Sequence, residues 1–447
     1  MRLDPSLLTM ASAKREFASG KLTPEELGRS QRSTIRRLNG ELHAFITLIP
    51  QDSGRRGSRG PLGGITVAVK DNIYVGGSRT TAGSRVFRRF VSPYDADVVA
   101  RLREAGATII GKTNMHEFAF GVTNINPYTG DCRNPWNHDR ISGGSSGGSA
   151  VAVATGMACA AVGTDTGGSV RIPASLCGIV GYKPTYELIS RRGVVPLAWS
   201  LDTVGFLTRS VGDAAMLTGL TLGGSRSEPT PDFRNLKPRS VKGMRLGVPW
   251  NLLEPLDDDV RLRFRESLAL AEGEGARIAS VRFEHIREAA ACRSLITHAE
   301  AASFHRAYFS ARFRDYGREM RRRVAQGLAI PAAVYVDALR VRRTLLADFR
   351  SLFKRVDLFA LPTTRIPAPT VEASKRDETA PAVRTALIAL PEPFNLFGAP
   401  AITIPCGLTR EGLPVGLQLA ADINRDFDLL SASLSLERVL PKLPAPP

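Results

Sequence analysis

The sequence predicts an α/β fold built on a largely parallel sheet. Three observations lead there. Residues 65–110 run strand, helix, strand, the order that gives a parallel pair with a helical crossover. Short strand signals then recur to the end of the chain, at 160–162, 204–207, 245–249, 358–361, 402–405 and 415–419. Between 257 and 350 the pattern turns mainly helical, which reads as an insertion in one domain spanning 5–440.

The elements follow in order. Residues 5–40 carry two helices with polar outer faces, and Thr23, Pro24 and Glu26 form a capping-box signature. A Gly/Arg loop fills 55–64. ITVAVK (65–70) is a strand ending in Lys70, before Asp71 and Asn72. DADVVARLREA (95–105) has apolar residues at helical spacing and stops at Gly106. Residues 107–110 form a short buried strand. After a Gly/Asn/Pro-rich stretch at 121–149, residues 149–157 read as a helix of small side chains. Asp257, Asp258 and Asp259 cap a helix. Glu411 and Gly412 mark a turn between the last two strands.

Composition narrows the function classes. The 447 residues are 43% hydrophobic and 23% charged, as in soluble globular proteins. The N-terminus, MRLDPSLLTMASAKREF, lacks the apolar core of a secretory signal, and the apolar stretch at 150–162 is too short to span a membrane. A cytoplasmic protein with no membrane contact is expected. Five cysteines, Cys132, Cys159, Cys177, Cys292 and Cys406, form no CxxC pair, which argues for free buried thiols over disulfides or zinc. The net charge is +17, densest in arginines from 312 to 323 and on to 343. Their helical spacing suggests a solvated face. No zinc finger or RNA-binding aromatic motif accompanies them, so nucleic acid is not the expected partner.

Two Gly/Ser clusters carry the chemistry: GGSSGGS (143–149) and DTGGSVR (165–171). One helix and one strand between them can bring both to the same end of a sheet. Ser169 precedes a helix start, where the N–H groups of Thr166, Gly167, Gly168 and Ser169 could face a developing oxyanion. A serine hydroxyl needs a base. The six histidines are distant in sequence, which leaves a Ser-His-Asp triad open, although TGGSV is not the GxSxG elbow. A lysine serves as base where burial frees its neutral form, and Lys70, at the end of an apolar strand, fits that need. GATIIGKT (106–113) matches the phosphate-binding pattern GxxxxGK[ST]. That mechanism needs a strand before the loop and a helix after it. Here a helix precedes and the isoleucines belong in a strand, so nucleotide binding is the weaker reading and Lys112 is structural or a neighbour of the site.

These residues closely resemble the amidase signature family of serine hydrolases. The resemblance runs from about residue 5 to 435 and is most specific over 143–185, GGSSGGSAVAVATGMACAAVGTDTGGSVRIPASLCGIVGYKPT. GGITVAVKDNI (63–73), GKTNMHEFAFG (111–121), NPWN (134–137), FNLFGAPAITIPCG (394–407) and GLPVGLQL (412–419) support it. It implies a central mixed, largely parallel twisted sheet covered by helices on both faces. It implies a Ser–cis-Ser–Lys triad, with Ser169 as nucleophile, Ser145 as the relay after a cis bond from Gly144, and Lys70 as base. Ser146, Asp165 and Arg171 would hold the loops. No metal or organic cofactor is implied, and the substrate would be a small-molecule amide.

The family includes the A subunit of tRNA-dependent amidotransferases, which releases ammonia from glutamine for its partner subunits. That protein typically has DEF where His116, Glu117 and Phe118 stand, and an RYG-containing stretch after its EAS motif, absent after AEAASFHRAY (299–308). These departures favour a stand-alone amidase, for which a homodimer is one open arrangement. The acyl pocket is expected from loops at 115–130, 190–200, 300–335 and 363–395. Phe118, Phe120, Trp199, Tyr308 and Phe394 are candidate walls, and Arg322 or Arg323 a partner for a substrate carboxylate.

Overall fold

The structure, a computed structural model, describes residues 4–50, 60–222, 231–376 and 382–447. Residues 55–59 of the expected Gly/Arg loop and 377–381 of the last expected pocket loop lie outside the described residues. Thirteen strands are formed among the described residues: β1 (Phe45–Leu48), β2 (Thr66–Lys70), β3 (Thr108–Thr113), β4 (Arg133–Asn134), β5 (Asn137–Ile141), β6 (Ala160–Asp165), β7 (Val180–Lys183), β8 (Thr203–Thr208), β9 (Arg245–Val248), β10 (Arg277–Ser280), β11 (Leu358–Pro362), β12 (Ala401–Leu408) and β13 (Pro414–Ala420). Eleven make one sheet in the order β1-β3-β2-β6-β8-β7-β12-β13-β11-β9-β10, and β4 and β5 form a separate ribbon.

The sheet is mixed and flanked by helices on both faces. Alternate residues of a strand serve opposite faces. Val67, Val69 and Val162 join the larger apolar core, while Ala68 and Ala161 join a second one with Val151, Ala174 and Leu207. The strands β2, β6, β7, β8 and β13 are buried along their whole length, which is why they lack polar alternation.

The parallel share is smaller than expected. β2 runs parallel to β3 and β6, and β9 to β10 and β11. The other pairings of the sheet are antiparallel. The connections explain this. A helix, Asp97–Glu104, carries the chain from β2 to β3, and another, Gly147–Ala154, precedes β6. β12 and β13 are joined by a tight turn, with Gly412 N–H on the Thr409 carbonyl at 2.9 Å, and such a turn can only reverse direction.

At the N-terminus the local signals and the structure agree closely. Thr23 Oγ1 accepts from Glu26 N–H at 3.2 Å, and the Glu26 carboxylate accepts from Thr23 N–H at 2.8 Å, opening the helix Pro24–Leu42. Asp257 likewise accepts from Asp259 N–H at 3.0 Å and caps Asp258–Gly273. The helical segment continues through Ile286–Phe309, Arg318–Leu328 and Ala332–Leu352. It is interrupted by β10, a four-residue edge strand with no apolar alternation to announce it. Among the described residues no single helix is long and apolar enough to cross a membrane.

Candidate active site

The parallel pairing of β2 with β6 sets the site. Val69 lies opposite Val162, so both strands end at the same edge of the sheet. Lys70, the last residue of β2, is completely buried there. Its Nζ lies 2.7 Å from Ser145 Oγ, 2.8 Å from Thr164 Oγ1 and 3.3 Å from the Thr164 carbonyl. Asn72 Nδ2 steadies Thr164 with a 3.2 Å bond to the same hydroxyl. Burial pulls the Lys70 ammonium down to about 7, while Asp165 and Asp202 act against it. A neutral amine is therefore accessible near pH 7.

The first Gly/Ser cluster reaches this edge through a cis peptide bond between Gly144 and Ser145. Ser146 ties the two clusters together: its N–H donates to the Ser169 carbonyl at 3.1 Å, and its Oγ donates to the Thr164 carbonyl at 3.2 Å. The helix after it packs on backbone. A Cβ on Gly148 would stand 2.3 Å from the Ala44 carbonyl oxygen and 2.5 Å from Asn114 N, so only glycine allows the approach.

The second cluster is organised by Asp165 and Arg171, both wholly buried. Arg171 donates Nε to Asp165 Oδ2 at 3.1 Å and Nη2 to Oδ1 at 2.9 Å. Its Nη1 reaches Gln418 Oε1 at 2.7 Å and the Pro391 carbonyl at 2.9 Å. Burial acts to raise the Asp165 pKa, but the Arg171 charge and its hydrogen bonds override it and hold the carboxyl below its ordinary value. Asp165 also accepts the N–H groups of Gly168 at 2.7 Å and Val170 at 3.0 Å. This corrects one expectation: the Gly168 N–H is committed to the carboxylate and does not face a reacting group. The turn has φ +116° at Gly168, a conformation that favours glycine.

Thr166 donates its hydroxyl to Asp202 Oδ1 at 2.6 Å, and Asp202 also receives the N–H groups of Leu197 at 2.9 Å and Ala198 at 3.1 Å. Burial pushes Asp202 up to about 6 against those bonds. Sequence reading misses Thr164, Asn72 and Asp202. Threonine and asparagine carry no motif here, and Asp202 is a lone carboxylate before β8.

A small cavity, about 20 Å³, lies over Ser169, with room for about one water. Phe120, Thr166, Leu197, Arg293, Arg384 and Ile388 are among its walls. Of the five aromatic candidates only Phe120 lines it. Phe118 packs against Phe87 and His305, and Phe394 against Phe349. Trp199 is exposed, and Tyr308 borders a separate cavity of about 590 Å³. Arg323 is not on the solvated face expected of the arginine run. It is buried, paired with Glu319 and stacked 4.8 Å over Phe120. Arg322 is exposed.

The phosphate-binding reading of 106–113 does not survive. Thr108–Thr113 is a strand, and Lys112 is buried in it, 3.1 Å from Asp71 and 2.7 Å from Thr80 Oγ1. No helix opens there to cradle a phosphate. The five cysteines are buried and unpaired.

A mixed sheet gathers a buried lysine and two serine-bearing loops at one edge, the parts that activate a serine hydroxyl, and the family that matches makes this an enzyme that acts on carbon–nitrogen bonds. The chain belongs to the amidase family, whose model matches residues 49–430. It is 38% identical to the A subunit of the Glutamyl-tRNA(Gln) amidotransferase of Geobacter sp. (strain M21), over 96% of this chain and 97% of the relative. Among solved structures, it superposes on the A subunit of the same enzyme from Thermotoga maritima with a TM-score of 0.87 at 36% identity, covering 100% of this chain and 99% of that one. A crystal structure of an amidase gives a TM-score of 0.86 at 33% identity, covering 97% and 100%. These amidotransferase relatives do not support the preference for a stand-alone enzyme drawn from the altered DEF and missing RYG motifs.

Proposed function

We propose that the chain hydrolyses a carboxamide through an acyl-enzyme on Ser169. The 2.7 Å contact between the buried Lys70 amine and Ser145 Oγ carries this reading. Neutral Lys70 takes the Ser169 proton by way of Ser145. Ser169 Oγ attacks the carbonyl carbon, and the oxyanion rests on the N–H groups of Thr166, Gly167 and Ser169. The C–N bond breaks as the proton returns through Ser145 to the leaving nitrogen. Water then releases the carboxylate and frees Ser169. Ser146, Asp165 and Arg171 hold the loops. Replacing Ser169 by Ala tests this: turnover of a reactive amide should vanish, and unchanged release of ammonia or amine would sink it.

The curated relatives favour one setting for this chemistry, the glutamine-hydrolysing A subunit of a tRNA-dependent amidotransferase. Co-purification with two partner subunits, and glutaminase activity only in their presence, would support it. One observation favours a second setting, a free-standing amidase. The cavity over Ser169 is lined by two arginines and, among the described residues, by no carboxylate that could receive the ammonium of glutamine.

A further inference from the structure

The cavity of about 590 Å³ shares no lining residue with the one over Ser169. The two are walled by the same elements. On the helix Ile286–Phe309, Arg293 and Thr297 border the small cavity, while Phe304 and Tyr308, two and three turns beyond Thr297, border the large one. In the loop before β8, Leu197 faces the small cavity and Val194, Val195 and Pro196 the large one. A volume of this size is typical of sites that hold small molecules.

Its wall is aromatic. The segment RVFRRF (85–90) turns tightly, with the Phe90 N–H on the Phe87 carbonyl at 2.9 Å, and this sets the two rings 5.8 Å apart. Phe87 meets Tyr308 edge to face at 5.4 Å and Phe304 at 6.3 Å, and Tyr74 lies 5.3 Å from Phe90. A planar ring in the cavity can join this cluster by the same tilted and edge contacts.

The rim is cationic. Arg88, Arg89 and Arg312 border it together with one carboxylate, Asp315. That carboxylate is taken: Arg312 Nε donates to it at 2.7 Å, and Arg88 approaches to 3.8 Å. Arg89 is exposed, and its guanidinium has no ion-pair or hydrogen-bond partner among the described residues. The hydroxyls of Tyr74 and Tyr308 have no hydrogen-bond partner among them either. Burial holds the Tyr74 phenol above its ordinary value, so it stays a donor.

We propose that this cavity is a second ligand site, distinct from the one over Ser169, and that it takes a fused-ring aromatic monocarboxylate. The rings lie among Tyr74, Phe87, Phe90 and Tyr308. The carboxylate receives the Arg89 guanidinium, with the two tyrosine hydroxyls as further donors. One unpaired guanidinium matches one carboxylate, which it binds through two parallel N–H bonds. The site does not depend on the acyl-enzyme reading.

The test is calorimetric titration of the full chain with three probes. These are 2-naphthoate, the uncharged 2-naphthylmethanol, and decahydro-2-naphthoate, which keeps the charge but loses the aromatic faces. The naphthoate should bind roughly 10- to 100-fold more tightly than the alcohol, the worth of a hydrogen-bonded charge. It should also bind more tightly than the saturated acid. Arg89→Gln should abolish the advantage over the alcohol, and Tyr308→Ala should weaken the naphthoate by about 10-fold. Both residues are exposed and border only the large cavity, so the variants fold and locate the ligand. No binding of the naphthoate, equal binding of any two probes, or unchanged affinity in Arg89→Gln overturns the site.

Discussion

Lys70 Nζ and Ser145 Oγ lie 2.7 Å apart, and both side chains are wholly shielded from solvent. A lysine in that position is a base only when neutral. Burial brings its pKa to about 7. The amine is therefore mostly protonated at pH 5.5 and mostly free at pH 8.5 (values on the order of 1.5 units to either side). The free-enzyme kcat/KM should rise with pH through about 7 and then level off. Lys70→Met, which keeps the bulk, should cost about 10²- to 10⁴-fold in kcat. A rate independent of pH from 5.5 to 8.5, at about constant stability, contradicts the role given to Lys70.

The Asp165–Arg171 pair governs the second loop. Asp165→Asn keeps the shape but leaves the Arg171 charge buried without its counter-ion. Urea unfolding should show a loss of about 3–5 kcal/mol. A loss below about 1 kcal/mol, the worth of an exposed pair, would mean the pair is not what holds the turn.

The chemistry is more legible in the sequence than the pocket. Lys70, at the end of an apolar strand, and Ser169, before a helix start, stand out from the residues themselves, whereas the part given to Ser145 comes from the resemblance to the amidase signature family. The parallel fraction is overread from sequence because β7 is four residues long and contains a glycine, so it gives no strand signal. Without it, the antiparallel run through β8, β7 and β12 is invisible. The pocket is harder still. Arg293 and Arg384 border the cavity over Ser169 from helices far along the chain, and no local pattern separates them from the many surface arginines. Arg323 shows the same difficulty: one arginine of a charged run is buried while its neighbour Arg322 is exposed.

Two glycines, both in helices, should respond in opposite directions. Gly148→Ala forces a methyl into the Ala44 and Asn114 backbone, which cannot turn aside, and should destabilise by about 1–3 kcal/mol. Gly40, inside the helix Pro24–Leu42, meets nothing within 4 Å. Gly40→Ala should stabilise by up to about 1 kcal/mol. Thermal midpoints of the two variants against the wild type check both signs, and a stabilised Gly148→Ala contradicts the packing described.

Asp202 receives Thr166 Oγ1, Leu197 N–H and Ala198 N–H, and so ties the loop before β8 to the one bearing Ser169. Asp202→Asn removes one acceptor without changing size. It should lower kcat by roughly 10- to 100-fold through misplacement of Thr166, with a smaller change in KM. Loss of stability with no change in kcat of the folded fraction would assign Asp202 a purely structural part.

Ser169, and no other residue, should carry the acyl group. The direct measurement is peptide mass mapping after reaction with a serine-directed fluorophosphonate or a slowly released activated ester. One adduct is predicted, on the peptide containing Ser169, formed slowly in Lys70→Met and absent from Ser169→Ala. An adduct on Ser145 or elsewhere, or full amide turnover in an enzyme that never carries an adduct at Ser169, would contradict it.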